Sequence, residues 1–213
     1  QDLQGSRWCL LVQELDRWEP AVADLKTQFS FIPNWRVDDV MASLSLPGGG
    51  VGPHVDNYDV FLIQSMGTKE WSIENCPLSP REELARELVG AEVRVLQGFA
   101  PTHTWTLEPG DMLYLPPRIP HHGIATPSSA GAGDSVTLSM GFRDPTSKDL
   151  VTAFGAHVAE TALDGQQFFR PELKPEGHHP GRISQRDLHA AKSLVQGALE
   201  GVLQDDAAFA AWF

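Results

Sequence analysis

The chain has 213 residues, 41% of them hydrophobic and 21% charged, with a formal net charge of −12; this bounds it to one domain, or one domain with an appendage. So acidic a chain disfavours direct binding to a phosphate backbone and favours encounter with a basic protein. No apolar run approaches the roughly 18 residues of a membrane span. The first residue is Gln1 and no signal-peptide pattern follows it, which reads as an excised fragment kept in the cytoplasm, or in an organelle if the source is eukaryotic.

Nineteen glycines and 16 prolines favour a turn-rich β fold over a helical bundle. The two cysteines, Cys9 and Cys76, have neither a CxxC nor a zinc spacing and read as buried free thiols in a reducing compartment. Apolar residues at Trp8, Leu11, Val12, Leu15, Trp18, Val22 and Leu25 have helical spacing, which Pro20 interrupts, so two short helices or one kinked helix are expected. Residues 39–46 alternate: Val40, Ala42, Leu44 and Leu46 share one face, and Asp39, Met41, Ser43 and Ser45 the other, the pattern of a strand. After the loop "PGGGVGP", residues 54–65 and 69–73 read as strands joined in a hairpin by "SMGT". A helix over 77–90 opens at Ser79-Pro80 and closes at Gly90. Short strands follow near 92–96, 103–107, 111–115, 122–125 and 135–142, which suits a sandwich or jelly roll. Beyond Pro145 the pattern turns helical, over 146–163, from Ser184 onward and from 205 to the end, around the Pro-rich loop "FFRPELKPEGHHPGR".

The chemistry concentrates in two stretches. In "GPHVDNYDVFLIQ", strand alternation sends His54, Asp56 and Tyr58 to one face. A histidine and a carboxylate so spaced can grip one cation; equally, Asp56 can be a turn residue and His54 an ordinary polar side chain. Iron(II) in oxygenases is held by two histidines and one carboxylate, and "EPGDMLYLPPRIPHHGIA" offers His121 and His122, of which a strand would point only one inward; His121 can equally be a satisfied surface histidine. Lys69 is either a solvated lysine or a point charge for the carboxylate of a small organic acid. His103, His157, His178, His179 and His189 read as structural.

The stretches "NWRVDDVMASLSLPGGGVGPHVDNYDVFLIQ", "GTKEW", "EPGDMLYLPPRIPHHG" and "SMGFRDP" resemble the JmjC-type ribosomal oxygenases, above all the bacterial branch that hydroxylates an arginine of a ribosomal protein. The resemblance covers most of the chain and fades after about residue 165. It implies a double-stranded β-helix (a cupin-like jelly roll) over 1–145 with N-terminal helices, then a helical, dimerisation-like and truncated region over 146–213. It further implies iron(II) held by His54, Asp56 and His121, with His121 chosen because the family's ligand directly follows the proline closing the Pro-rich turn. Lys69 matches the residue that binds the distal carboxylate of 2-oxoglutarate, and Asp39, Met41, Tyr58 and Ser139 match the substrate pocket. The implied co-substrates are 2-oxoglutarate and dioxygen, and the implied partners are a basic ribosomal protein and a second copy of the chain. The second motif also echoes the cupin pattern, with Gly110, Pro116 and His121 in place but Arg118 where a glycine is usual. The alternatives are a histidine hydroxylase, a cupin acting on a small metabolite, and a metal-holding jelly roll without oxygenase activity.

Overall fold

A computed structural model describes residues 7–91, 93–127, 134–161 and 183–213. The Pro-rich segment with His178 and His179 lies outside them, as does most of the expected turn "PSSAGAGD". The described residues divide into two compact units, one ending at Asp144 and one starting at Pro145. No helix among them is long and apolar enough to cross a membrane.

The first unit is mainly β. Its strands are β1 (Cys9–Val12), β2 (Val37–Ser45), β3 (Asp59–Met66), β4 (Thr68–Ile73), β5 (His103–Leu107), β6 (Met112–Leu115), β7 (His121–Thr126) and β8 (Ser135–Phe142). They form a five-stranded sheet in the order β1-β2-β8-β3-β6 and a three-stranded sheet in the order β5-β4-β7; the named pairs are antiparallel. This is the jelly-roll class that the sequence implies. Strand alternation builds two cores. Val60 and Leu62 of β3 face inward and meet Trp71, Leu107, Leu115 and Ile119. Val40, Met140 and Phe142, each 0% exposed, face outward from the large sheet and are covered by Val22 of α1 (Pro20–Thr27) and by Phe29. Full burial of each such side chain contributes about 1.5–3 kcal/mol.

Several expected elements take another form. Helical spacing over 8–25 gives way to β1, a single 3-10 turn at Leu15–Arg17, and α1. The run Cys9–Val12 pairs in register with Ser45–Ala42, so the open edge of β2 overrides the local helical pattern. Pro20 starts α1 instead of breaking it, with the Glu19 side chain accepting from the Ala21 amide at 3.3 Å. The helix expected over 77–90 opens as foreseen, with a capping box between Ser79 and Glu82, but α2 ends at Arg86. Where a strand is expected over 92–96, the described residues 93–96 show one bridge, Glu87 with Leu96. Cys76 is exposed and Cys9 half-buried, so neither is a buried thiol.

The turn at Gly67 is real, but β3 and β4 are not a hairpin. They lie in different sheets, β3 between β8 and β6, and β4 between β5 and β7. Turn residues mark where the chain reverses and cannot say which strand becomes the neighbour. Gly67 is the corner where the chain passes from one sheet to the other, at φ 63°.

The second unit consists of α3 (Ser147–Thr161), α4 (Gln185–Leu203) and α5 (Asp206–Trp212). Ser184 caps α4 by accepting from the Asp187 amide at 3.1 Å. Phe154, Val158 and Val202 form its core, with Ala198, Leu199, Phe209 and Trp212 against them. Of the apolar face foreseen on α4, the C-terminal half packs, while Leu188 and Val195 stay 49% and 57% exposed.

A Cβ on Gly67 would stand 2.5 Å from the Asp134 carbonyl oxygen. Gly67→Ala therefore combines a left-handed backbone with a backbone clash, and should destabilise the chain by about 2 kcal/mol or more. Chemical denaturation checks this; a variant within about 0.5 kcal/mol of wild type would mean that the corner is not as tight as described.

Candidate metal centre

The stretch 48–54 runs along the free edge of β7. The Gly48 amide donates to the Ala125 carbonyl at 2.6 Å, and the Ala125 amide to the Gly49 carbonyl at 2.9 Å. At its end His54 and His121 exchange both backbone bonds, at 3.0 and 2.9 Å, as an isolated antiparallel bridge. Residues paired this way project to the same side, and their rings lie 4.2 Å apart at 59°. Residues 55–58 are not strand, contrary to the expectation that a strand starts at 54, because β3 begins at Asp59. The chain bends there, yet His54, Asp56 and Tyr58 still line one cavity.

One ligand atom from each of His54, Asp56 and His121 lies within 4.8 Å of the other two, and Asp56 Oδ2 is 3.5 Å from His121 Nε2. Both imidazoles are oriented through Nδ1: that of His54 faces the Gly52 carbonyl at 2.8 Å and that of His121 the Ile119 carbonyl at 2.9 Å. A carbonyl only accepts, so each Nδ1 carries the proton and each Nε2 offers a lone pair. Burial, and then the nearby His54, push His121 down to about 3, so its imidazole is neutral. Burial pushes Asp56 up from the usual carboxylate range, against the opposing pull of His54 and a hydrogen bond from Tyr58. A half-buried carboxylate lacking a full counter-charge beside two oriented lone pairs is a donor set that suits a divalent cation. His122 points elsewhere, its ring 6.1 Å from that of Phe99.

Lys69 lies on the same cavity and is 2% exposed. Its Nζ donates to Ser43 Oγ at 3.1 Å and sits 5.0 Å from the centre of the Trp71 ring. Among the described residues no carboxylate pairs with it, and burial pulls its pKa below the usual lysine value. Gly123 makes room for it: a Cβ there would meet Lys69 Cε at 2.9 Å and Trp71 at 2.8 Å. Ser45 Oγ and Trp71 Nε1 are buried without a hydrogen-bond partner. A buried cation and unsatisfied polar atoms invite an anionic, hydrogen-bonding ligand.

Met41, Tyr58 and Ser139 also line the cavity. Asp39 does not; its carboxylate accepts from the Glu14 amide at 2.8 Å and holds that residue at φ 53°. Sequence reasoning overlooked Arg118 as a contributor. Its signal was present, as the one departure from the cupin pattern. The left-handed turn that the pattern's glycine provides is retained, with Arg118 at φ 68°.

A JmjC domain family model matches residues 24–150. The chain is 33% identical over 211 residues to the ribosomal protein uL16 3-hydroxylase of Escherichia coli, covering 99% of this chain and 52% of that protein. It is 32% identical over 202 residues to a probable ribosomal oxygenase of Haemophilus influenzae, covering 89% of this chain and 45% of the other. It thus spans about half the length of the curated relatives it matches. Among solved structures, YcfD, a ribosomal oxygenase from Escherichia coli in complex with cobalt and 2-oxoglutarate, superposes with a TM-score of 0.66 at 32% identity, over 96% of this chain and 49% of that one.

Lys69 held charged in this cavity costs folding free energy. Its depressed pKa means that the cost shrinks as pH rises toward the unfolded value of 10.5. Lys69→Met should therefore raise the apo-protein's stability by about 1 kcal/mol, or 2–4 °C in the thermal midpoint, most clearly near neutral pH. A lower midpoint in the variant would show that the ammonium is satisfied within the fold.

Proposed function

The chain belongs to the JmjC domain family, and from that premise we propose that it is an iron(II)- and 2-oxoglutarate-dependent hydroxylase acting on an arginine side chain of a ribosomal protein. The observation that carries this reading is that one cavity holds both the His54–Asp56–His121 cluster and the buried Lys69, with which no carboxylate pairs among the described residues. The names of the relatives, and the cobalt and 2-oxoglutarate bound to YcfD, support it.

In this reading Nε2 of His54, Nε2 of His121 and the Asp56 carboxylate hold the iron. Iron so held, with 2-oxoglutarate and dioxygen, supplies an oxidant that puts one oxygen atom into a C–H bond while the keto acid leaves as succinate and carbon dioxide. Lys69 pairs with the far carboxylate of 2-oxoglutarate, with Ser43 and Trp71 as hydrogen-bonding neighbours on the same cavity. The inner core around Val60, Leu62 and Trp71 keeps water from that end of the cavity.

The substrate end is acidic. Burial first, then Asp56, Asp38 and Asp39, raise the pKa of Tyr58, so its hydroxyl keeps its proton and can donate. Arg143, which does not line the cavity, shows how a guanidinium is received near Tyr58: it is 6.0 Å from the Tyr58 ring centre and 2.7 Å from Asp38. Met41 and Ser139 stand beside the aliphatic stem of the incoming arginine, and Asp39 acts through its field. A neutral imidazole would gain less from these carboxylates, which favours arginine over histidine. The net charge of −12 suits a basic ribosomal partner met in the cytoplasm. We assign α3–α5 to self-association, on the strength of the exposed Leu188, Val195 and Leu203.

Incubation with iron(II), 2-oxoglutarate and ribosomal proteins should add the mass of one oxygen atom to a single arginine, mapped by tandem mass spectrometry. No adduct on any ribosomal protein, with 2-oxoglutarate untouched, would refute the proposal. Asp56→Ala should reduce succinate formation to background, a loss of at least about 100-fold. Succinate formation at the wild-type rate would remove Asp56 from the metal's ligands.

A further inference from the structure

Arg118 is one of two non-glycine residues at positive φ among those described, the other being Glu14. A glycine would take this conformation without steric conflict. The arginine brings something a glycine cannot. Its guanidinium donates from Nε to the Leu78 carbonyl, from Nη1 to Asn57 Oδ1 at 2.6 Å and from Nη2 to Glu83 Oε2 at 2.8 Å. Its backbone adds two bonds, the Arg118 amide to the Asp56 carbonyl at 2.7 Å and the Leu78 amide to the Arg118 carbonyl at 2.9 Å. One residue therefore joins the bend carrying Asp56, the start of α2, and the turn that delivers His121 three residues later.

The three members of the cluster are not equally anchored. His54 and His121 have their reciprocal backbone bridge and an Nδ1 bond each. Asp56 sits in a bend outside any strand, and its main-chain tether is Arg118. The arginine fork also grips Asn57, the very next residue, and locks it to Glu83 of α2. Both ends of that ion pair are largely shielded, with side chains 21% and 16% exposed, so water competes weakly for it.

We propose that Arg118 is a positioning residue for the metal centre: it clamps the Asp56–Asn57 bend against the Pro-rich turn and α2, and so holds the carboxylate within reach of both imidazoles before metal arrives. This rests on reading the cluster as a metal site. The left-handed strain at Arg118 is the cost of a preorganised ligand.

The test uses cobalt(II) as the probe, added to the apo-protein and followed by calorimetry and d–d absorption at temperatures below the thermal transition. Arg118→Gly keeps the turn and deletes the fork; it should weaken cobalt(II) binding about 10–100-fold and alter the d–d spectrum at saturation. Arg118→Lys, which retains the charge without the fork, should fall between glycine and wild type. Should the glycine variant fail to fold, Asn57→Ala removes the contact nearest the ligand and should weaken binding several-fold. A variant that melts earlier yet binds cobalt(II) with unchanged affinity and spectrum would make Arg118 a purely structural staple and overturn the proposal. If wild type and Asp56→Ala take up cobalt(II) equally poorly, the metal site itself is wrong and the positioning role falls with it, an outcome distinct from the first.

Discussion

Two backbone hydrogen bonds organise the candidate site, those exchanged by His54 and His121. They bring residues 67 positions apart in the chain directly opposite one another and aim both side chains into one cavity. Each ring is then turned by the backbone carbonyl two residues before it, Gly52 for His54 and Ile119 for His121, so that the free nitrogens face the space beside Asp56. A metal centre built on loops alone would have to spend binding energy on ordering its ligands. Here the ordering is done by an edge of β-sheet, where backbone geometry leaves little freedom.

The cavity accepts a second cost in Lys69. An ammonium 2% exposed beside Ser43 and Trp71 is a poor choice for stability and a good one for holding a carboxylate. The same logic applies to Ser45 Oγ and Trp71 Nε1, which the fold buries without partners. Interiors that leave such groups unsatisfied tend to do so where a ligand completes them. The surrounding β-sandwich can bear this because its outer core, built on Val40, Met140 and Phe142, is fully closed and lies on the other face of the same strands.

Legibility in the sequence followed the range of the forces involved. The strands expected at 39–46, 103–107 and 135–142 could be found, the first shifted by one or two residues at its ends, because alternation is local and each strand has one apolar side. The caps at Ser79 and Ser184 could be found because a capping side chain reaches only three residues ahead. The failures came where a distant partner intervened. Cys9–Val12 became a strand because β2 had an open edge, and "SMGT" became a corner between sheets because β3 found β8 and β6.

The candidate site divides in the same way. The sequence by itself determined which residues carry the chemistry: the His-x-Asp stretch, the Pro-rich turn ending in His121, the lysine after Gly67, and a resemblance that linked them. It also determined the two faces of β2, since side-chain alternation needs no tertiary information, but not that the face with Met41 and Ser43 is the one turned to the cavity. Only the tertiary structure decided that Lys69 pairs with no carboxylate among the described residues, that Asp39 spends its carboxylate on Glu14, and that an arginine in a glycine's place grips Asn57, Leu78 and Glu83. Those outcomes depend on which atoms remain unpaired once the sheets have closed, and no local pattern encodes that.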